Sequence, residues 1–215
     1  MQETPKRPRG RPRQRSDEET RTLIIGAASG VFLAHGFGGT SMEAVAQAAG
    51  VSKKTIYRFM STKEELLAAV VEHRSDALRS PIGHDAGPDP AAAERALRQF
   101  LRELARLVLS DETVALNRLI HTESLRFPEM VRAFYQAGPV RNTKALAAWL
   151  EIQRGHGLMR VDDSVSMAQM VVQMTIGEPL RAATLGIAPL PGPAEIDRRV
   201  DEAVDIFLHG CLVQR

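Results

Sequence analysis

Apolar residues recur along most of this 215-residue chain at the three- and four-residue spacing of amphipathic helices, with no strand-like alternation of useful length. Ile24, Ala27, Ala28, Val31 and Phe32 fall at i, i+3, i+4, i+7 and i+8 and mark the inward face of a first helix. Ser16 with Glu19 is a capping box that opens it, and Gly36 is expected to end it, with Phe37 plugging a small core. Two short helices follow within residues 40–63. Val45, Ala46 and Ala49 share one side of the first, and Ile56 and Phe59 one side of the second. Gly50 lies between them, where a sharp corner needs left-handed backbone that glycine adopts without a Cβ clash. Thr40 with Glu43 reads as the cap of the first, Ser52 as the cap of the second, and Thr62 with Glu65 as the start of a fourth helix.

The fourth helix is predicted to run to about Arg79, with Leu66, Leu67, Val70 and Val71 inward. Residues 80–90 break the pattern, and Asp89-Pro90 restarts it as cap and first residue. Leu97, Leu101, Leu104 and Val108 form the next stripe; Arg95, Arg98, Arg102 and Arg106 lie elsewhere around that helix and read as a solvated face or a second basic surface. Asp111 is expected to cap a helix over about 112–125. A short helix over 128–137, a break at Gly138-Pro139 and a helix over 140–155 follow. Asp163 opens a long helix to about Leu185, kinked near Gly177 because Pro179 removes a helix hydrogen bond. The last helix covers about 194–211. The fold class is all-α, in three parts: a basic arm over 1–15, a three-helix unit with a helix-turn-helix over 16–62, and a helical bundle over 63–215.

Charge sharpens this picture. The net charge is only +2, but residues 1–65 carry 11 Lys+Arg against 7 Asp+Glu. Basic character therefore concentrates where a nucleic acid would bind. The arm has no apolar periodicity and is expected to be disordered when free. Its Arg9-Gly10-Arg11-Pro12-Arg13 run is similar to an AT-hook, whose arginines enter a narrow minor groove; a solvated tail that attracts phosphates nonspecifically is the alternative. One cysteine, Cys211, excludes an intramolecular disulfide. No stretch approaches the roughly 18 apolar residues that span a bilayer, and the N-terminus lacks an apolar signal core, so a cytoplasmic protein without a membrane partner is expected.

The outward residues of the third helix carry the function. Lys53, Lys54, Thr55, Tyr57 and Arg58 combine three cations, a hydroxyl and a phenol with no acid. The run GFGGTSMEAVAQAAGVSKKTIYRFMSTKEELL closely resembles the DNA-binding domain of TetR-family transcriptional regulators, over about residues 16–70. Lys54 stands where many members have Gly or Pro, and Met60 where many have Phe. The stretch LNRLIHTESLRFPEMVRAFYQAGP resembles, more weakly, the C-terminal part of the AefR-like branch. The resemblance implies a homodimeric, ligand-responsive repressor on an inverted-repeat double-stranded operator. Lys53, Lys54, Thr55 and Arg58 are the expected base-edge contacts, and Thr40, Ser41, Tyr57 and Lys63 the phosphate contacts. It also places the last two helices across a twofold axis, with Val172, Ile176, Val200, Ala203, Val204 and Phe207 expected there.

Helix bundles leave clefts for small molecules. Asn117, His121, Phe134, Tyr135, Trp149, Met170, Met174 and Glu178 offer adaptable sulfur, aromatic surface and polar groups for an unknown effector, although core packing explains any one of them as well. His121-Thr122-Glu123 has the spacing of a zinc deaminase motif without its Pro-Cys-x-x-Cys partner, and no phosphate loop or nucleophile elbow occurs. No enzymatic activity, metal or cofactor is expected. The rival readings are an architectural DNA-binding protein without an effector and a small helical enzyme.

Overall fold

The computed structural model describes residues 15–76, 78, 82 and 87–211, without the side chain of Cys211. Arg9, Arg11 and Arg13 lie outside the described residues. Every regular element among the described residues is helical: α1 (Asp17–Gly39), α2 (Met42–Ala48), α3 (Lys53–Phe59), α4 (Lys63–Asp76), α5 (Pro90–Val108), α6 (Asp111–Glu123), α7 (Pro128–Tyr135), α8 (Arg141–Gly155), α9 (Ser164–Val172), α10 (Glu178–Leu185) and α11 (Pro193–Cys211).

Most helix starts follow the cap chemistry. Ser16 Oγ accepts from Glu19 N–H at 3.1 Å while Glu19 accepts from Ser16 N–H at 2.7 Å, the reciprocal pair of a capping box. Ser52 accepts from Thr55 N–H at 3.0 Å, and Asp89 from Ala91 N–H at 3.0 Å. Two caps differ from expectation by one residue. Ser41, not Thr40, caps α2, accepting from Ala44 N–H at 3.1 Å. The chain turns at Gly36 (φ 72, ψ 171) and winds on to Gly39, which carries Thr40 inward; its hydroxyl donates to Gly36 C=O at 2.7 Å. Likewise Ser110, not Asp111, caps α6.

Two apolar cores hold the molecule. The first gathers Ile24, Phe32 and Phe37 of α1, Val45 and Ala46 of α2, Ile56 of α3 and Leu66 and Leu67 of α4. Leu116, Ile120 and Met130 of α6 and α7 complete it. The second joins α5, α8, α9 and α11 through Leu97, Leu101, Leu146, Trp149, Val171, Val200 and Val204. Each fully buried large side chain stabilises the fold by about 1.5–3 kcal/mol over its exposed state.

In the Arg row of α5, Arg95 stays on the solvated face, 3.7 Å from Asp89, but the other three form neither a solvated face nor a free basic surface. Arg98, Arg102 and Arg106 face α11 and pair with Asp197, Asp201 and Asp205, with Arg102 Nη2 2.5 Å and Arg98 Nη1 3.0 Å from Asp201 Oδ1. The predicted break at Gly138-Pro139 is instead a π turn, Gln136–Val140, that carries α7 into α8. A second π turn, Gln173–Gly177, joins α9 to α10 just before Pro179. The proline ring excludes a hydrogen bond to the carbonyl four residues back, and Arg199 of α11 takes up that carbonyl, Thr175 C=O, at 3.1 Å.

α1 is long and apolar enough by composition to cross a membrane, with a mean hydropathy of 1.4 over its most apolar window. Its Ile24, Ile25, Ala28 and Phe32 are nevertheless buried in the first core, and Gly36 interrupts its helical backbone.

Two glycines with positive φ make a test of this architecture. At Gly50 (φ 65) an added Cβ meets nothing within 4 Å, whereas at Gly36 it would stand 2.6 Å from Glu123 Oε1. Gly36 also occupies a region of backbone space nearly closed to other residues. Gly50→Ala should therefore cost about 1 kcal/mol and Gly36→Ala about 3 kcal/mol, checked by urea unfolding; equal costs would contradict the packing at Gly36.

Candidate nucleic-acid interface and effector cavity

The short α3 is held from behind and open in front. Ile56 is fully buried beneath it, and the Gly50 corner sets its angle to α2. Lys53, Lys54, Tyr57 and Arg58 are exposed on the other side, Tyr57 by 42 %. Two of the cations have acidic neighbours. Lys53 pairs with Glu43 of α2, and Arg58 Nη2 lies 2.7 Å from Asp17 Oδ1 of α1. The Lys53 ammonium holds the Glu43 carboxyl below its ordinary range, and Glu43 in turn raises Lys53. Both pairs are solvent-exposed, where such contacts are worth about 0–1 kcal/mol. Lys54 has no ion pair among the described residues. Arg58 also stacks over the Phe59 ring at 4.7 Å, which flattens it along the helix.

The expected phosphate contacts divide. Ser41 and Tyr57 are exposed, as an N-cap hydroxyl and a phenol. Thr40 is only 3 % exposed with its hydroxyl engaged, and it drops out as a phosphate contact. Thr55 is half-buried and shares a 2.8 Å hydrogen bond with Ser52. Lys63 turns back toward the protein. Its Nζ donates to Phe37 C=O at 2.8 Å and lies 4.6 Å from the Phe37 ring centroid.

Between α4, α5, α6, α7, α8 and α9 lies a cavity of about 370 Å³. Val71, Leu104, Leu116, Phe134, Val172 and Ile176 give it apolar walls. Asn117, Tyr135, Asn142, Thr143, Gln169 and Gln173 supply uncharged polar groups. Among the described residues Arg74 is the one charged residue in the lining, and it is already engaged: it pairs with Glu112 and donates to Ser110 Oγ at 3.1 Å and Thr113 Oγ1 at 2.8 Å. The Ser29 hydroxyl and then Arg74 hold the Glu112 carboxyl below its ordinary range. Both π turns border the cavity, through Gly138 and Pro139 on one side and Gln173 and Ile176 on the other. Such turns widen a helix and often mark functional sites.

Asn117, Phe134 and Tyr135 line this cavity as anticipated. The other candidates do not. Trp149 is 1 % exposed in the second core, and Met170 is 62 % exposed on the outside. His121 is exposed, with Nδ1 against Asn117 C=O at 2.7 Å. Met174 lies outside the lining, and Glu178 forms a surface pair with Arg181. Arg74, Asn142, Thr143, Gln169 and Gln173 were missed; the four-residue spacing of Gln169 and Gln173 on a mostly apolar helix was the available signal. The anticipated dimer residues also need correction. Val200, Ala203 and Val204 are buried inside the protomer, Phe207 packs partly on the same core, and Val172 and Ile176 face the cavity. The exposed apolar side chains of α10 and α11 include Leu185 and Ile206, with Ile187 just beyond α10.

Comparison with known proteins places this geometry. The model of bacterial regulatory proteins of the tetR family matches residues 24–70, and that of the AefR-like transcriptional repressor C-terminal domain matches residues 95–210. The structure of the flavonoid-responsive regulator FrrA is 32 % identical, covers 92 % of this chain and 100 % of its own, and superposes with a TM-score of 0.70. A TetR-family regulator from Mesorhizobium loti MAFF303099 is 28 % identical over 93 % of this chain and 100 % of its own, with a TM-score of 0.73. The transcriptional repressor Rv3405c of Mycobacterium tuberculosis is 33 % identical over 92 residues, 43 % of this chain and 48 % of its own. The chain spans about half the length of the curated relatives it matches. With the helix-turn-helix model on the reading head and the AefR-like model over more than half of the chain, the protein belongs to the TetR family of transcriptional regulators.

Proposed function

We propose that the protein is a homodimeric, sequence-specific transcriptional repressor that a small molecule in the cavity releases from an inverted-repeat operator. The observation that carries this reading is α3: a cationic ridge, anchored through Ile56 and exposed at Lys53, Lys54, Tyr57 and Arg58. An α-helix of this kind fits the major groove, where Lys and Arg can pair with guanine O6 and N7. Thr55 supports the ridge at its edge. Ser41, Tyr57 and Lys63 hold phosphates and set register; for Lys63 a phosphate at the α4 N-terminus competes with Phe37 C=O. Two such ridges about 34–36 Å apart read a palindrome. Repression, rather than activation, is favoured by the AefR-like repressor domain and by Rv3405c. Such a regulator works in the cytoplasm.

Dimer formation is assigned to α10 and α11, where Leu185 and Ile206 are 64 % and 65 % exposed. The effector is assigned to the α4–α9 cavity. FrrA responds to flavonoids, and a neutral, flat, hydroxylated aromatic suits a lining of aliphatic walls and uncharged hydrogen-bonding groups. Binding that favours the DNA-incompetent arrangement shifts the population away from the operator by its differential affinity.

Three outcomes are expected. With an operator selected from a random DNA pool, Arg58→Ala should cost about 1–3 kcal/mol and relax preference at one base position; a uniform loss on every sequence would move Arg58 to the phosphate backbone. Ile206→Asp should yield monomers by light scattering, and a persistent dimer would relocate the interface. Titration with apigenin, a planar flavone, as the flavonoid probe should show saturable binding by calorimetry, weakened about fivefold in Asn117→Leu for one lost hydrogen bond. Wild-type protein that ignores the probe would remove flavonoids as the effector class.

A further inference from the structure

Helix α6 is gripped by the reading head at both ends. At its start Glu112 accepts from Ser29 Oγ of α1 at 2.5 Å and pairs with Arg74 of α4. At its last residue, Glu123, the carboxylate spans two backbone amides of the head. Oε1 accepts from Phe37 N–H at 2.8 Å, and Oε2 from Gly38 N–H at 2.9 Å. Helix α6 thus runs parallel to α1, from Ser29 to the turn that leads into α2.

The turn is shaped to admit this grip. A Cβ at Gly36 would stand 2.6 Å from Glu123 Oε1, and one at Gly38 would stand 3.0 Å from the Phe127 ring and 3.1 Å from Glu123 Oε2. Phe127 meets Phe37 edge-on with centroids 5.3 Å apart. Lys63 completes the arrangement by donating to Phe37 C=O, so both flanks of that residue are held by charged groups. Hydrogen bonds to charged groups are the stronger kind, and two of them on adjacent amides fix an orientation as well as a distance.

We propose that Glu123 is a positioning residue for operator binding: it fixes the angle of the α2–α3 reading head on the C-terminal body and thereby the separation of the two half-sites that the dimer accepts. The proposal rests on the dimeric operator reading given above. A one-base-pair change in spacer both translates and rotates the second half-site, so spacer preference reports directly on how stiffly the head is held. The same helix carries Leu116 and Asn117 into the cavity, so the grip also places cavity and reading head on one rigid element.

The test uses the full chain with Glu123→Gln, which keeps shape but offers one acceptor where two are needed, and Glu123→Ala. Each is measured on the selected operator and on versions one base pair shorter and longer. Wild type should prefer one spacer strongly. Both variants should lose about tenfold on that spacer while the difference between spacers flattens, and the Phe37 and Gly38 amides should exchange faster by hydrogen-exchange mass spectrometry or NMR. A stability role alone would weaken all spacers equally and leave the preference intact; that result, or unchanged binding, overturns the proposal. Wild-type protein indifferent to spacing would overturn the dimeric operator reading, and this role with it.

Discussion

Everything in the reading head depends on an apolar core that it does not complete by itself. Helices α2 and α3 have seven residues each, too few to be stable as isolated helices in water. Their order comes from burying Val45, Ala46 and Ile56 against Ile24, Phe32 and Leu66, and that layer rests in turn on Leu116, Ile120 and Met130 of the C-terminal helices. A rigid head matters because reading base edges needs several side chains in register at once. The cost of ordering α3 is therefore met by hydrophobic burial that spans both parts of the chain. Helix α4 is a covalent strut between them, with Lys63 at the head and Val71 and Arg74 at the cavity; α6 is a second strut, held through side chains.

The electrostatics of the ridge suit reversible binding. Asp17 and Glu43 hold Arg58 and Lys53 through exposed pairs, and such pairs are weak because water screens them. Leaving them for DNA costs little, while release of condensed counterions favours the polyanion. The acids still disfavour nonspecific contact at two of the cations, because a phosphate at Lys53 or Arg58 must displace a carboxylate already in place. Lys63 follows the same logic with a neutral competitor, the Phe37 carbonyl.

The head was legible in sequence because its determinants are local. Gly50, Ser52, Ile56 and the outward cations act within a dozen residues of one another, and all four predictions match the structure in geometry. The caps at Thr40 and Asp111 missed by one position because cap preference ranks Ser, Thr and Asp nearly alike; tertiary packing chose Ser41 and Ser110. Farther along, periodicity located apolar stripes but not what covers them. Val200, Ala203 and Val204 form a stripe that looks the same in sequence whether it packs inside a protomer or across a twofold axis. Trp149 was chosen for its chemistry, yet burial is set by neighbours on α5, α9 and α11 that sequence spacing does not bring together. Arg98 and Arg102 of α5 meet the acids of α11 only through the fold, some 100 positions away in the chain.

The π turns that border the cavity were the least legible part of the backbone. Proline in the α7–α8 connection and at the start of α10 was read as a break or a kink, on the premise that a lost hydrogen bond ends or bends a helix. Here the helices continue, each by one wider turn. Val172 and Ile176, placed at a dimer interface by family resemblance, instead line the cavity with Gln169, Gln173 and Leu180. Thr175, freed of its helical partner by Pro179, is bonded by Arg199 and ties α11 to the cavity wall. Gly138 sits against Val71 so closely that a Cβ there would stand 3.0 Å from its Cγ1. A guest that altered the turn at Gly138 would press first on α4, the strut whose other end carries Lys63.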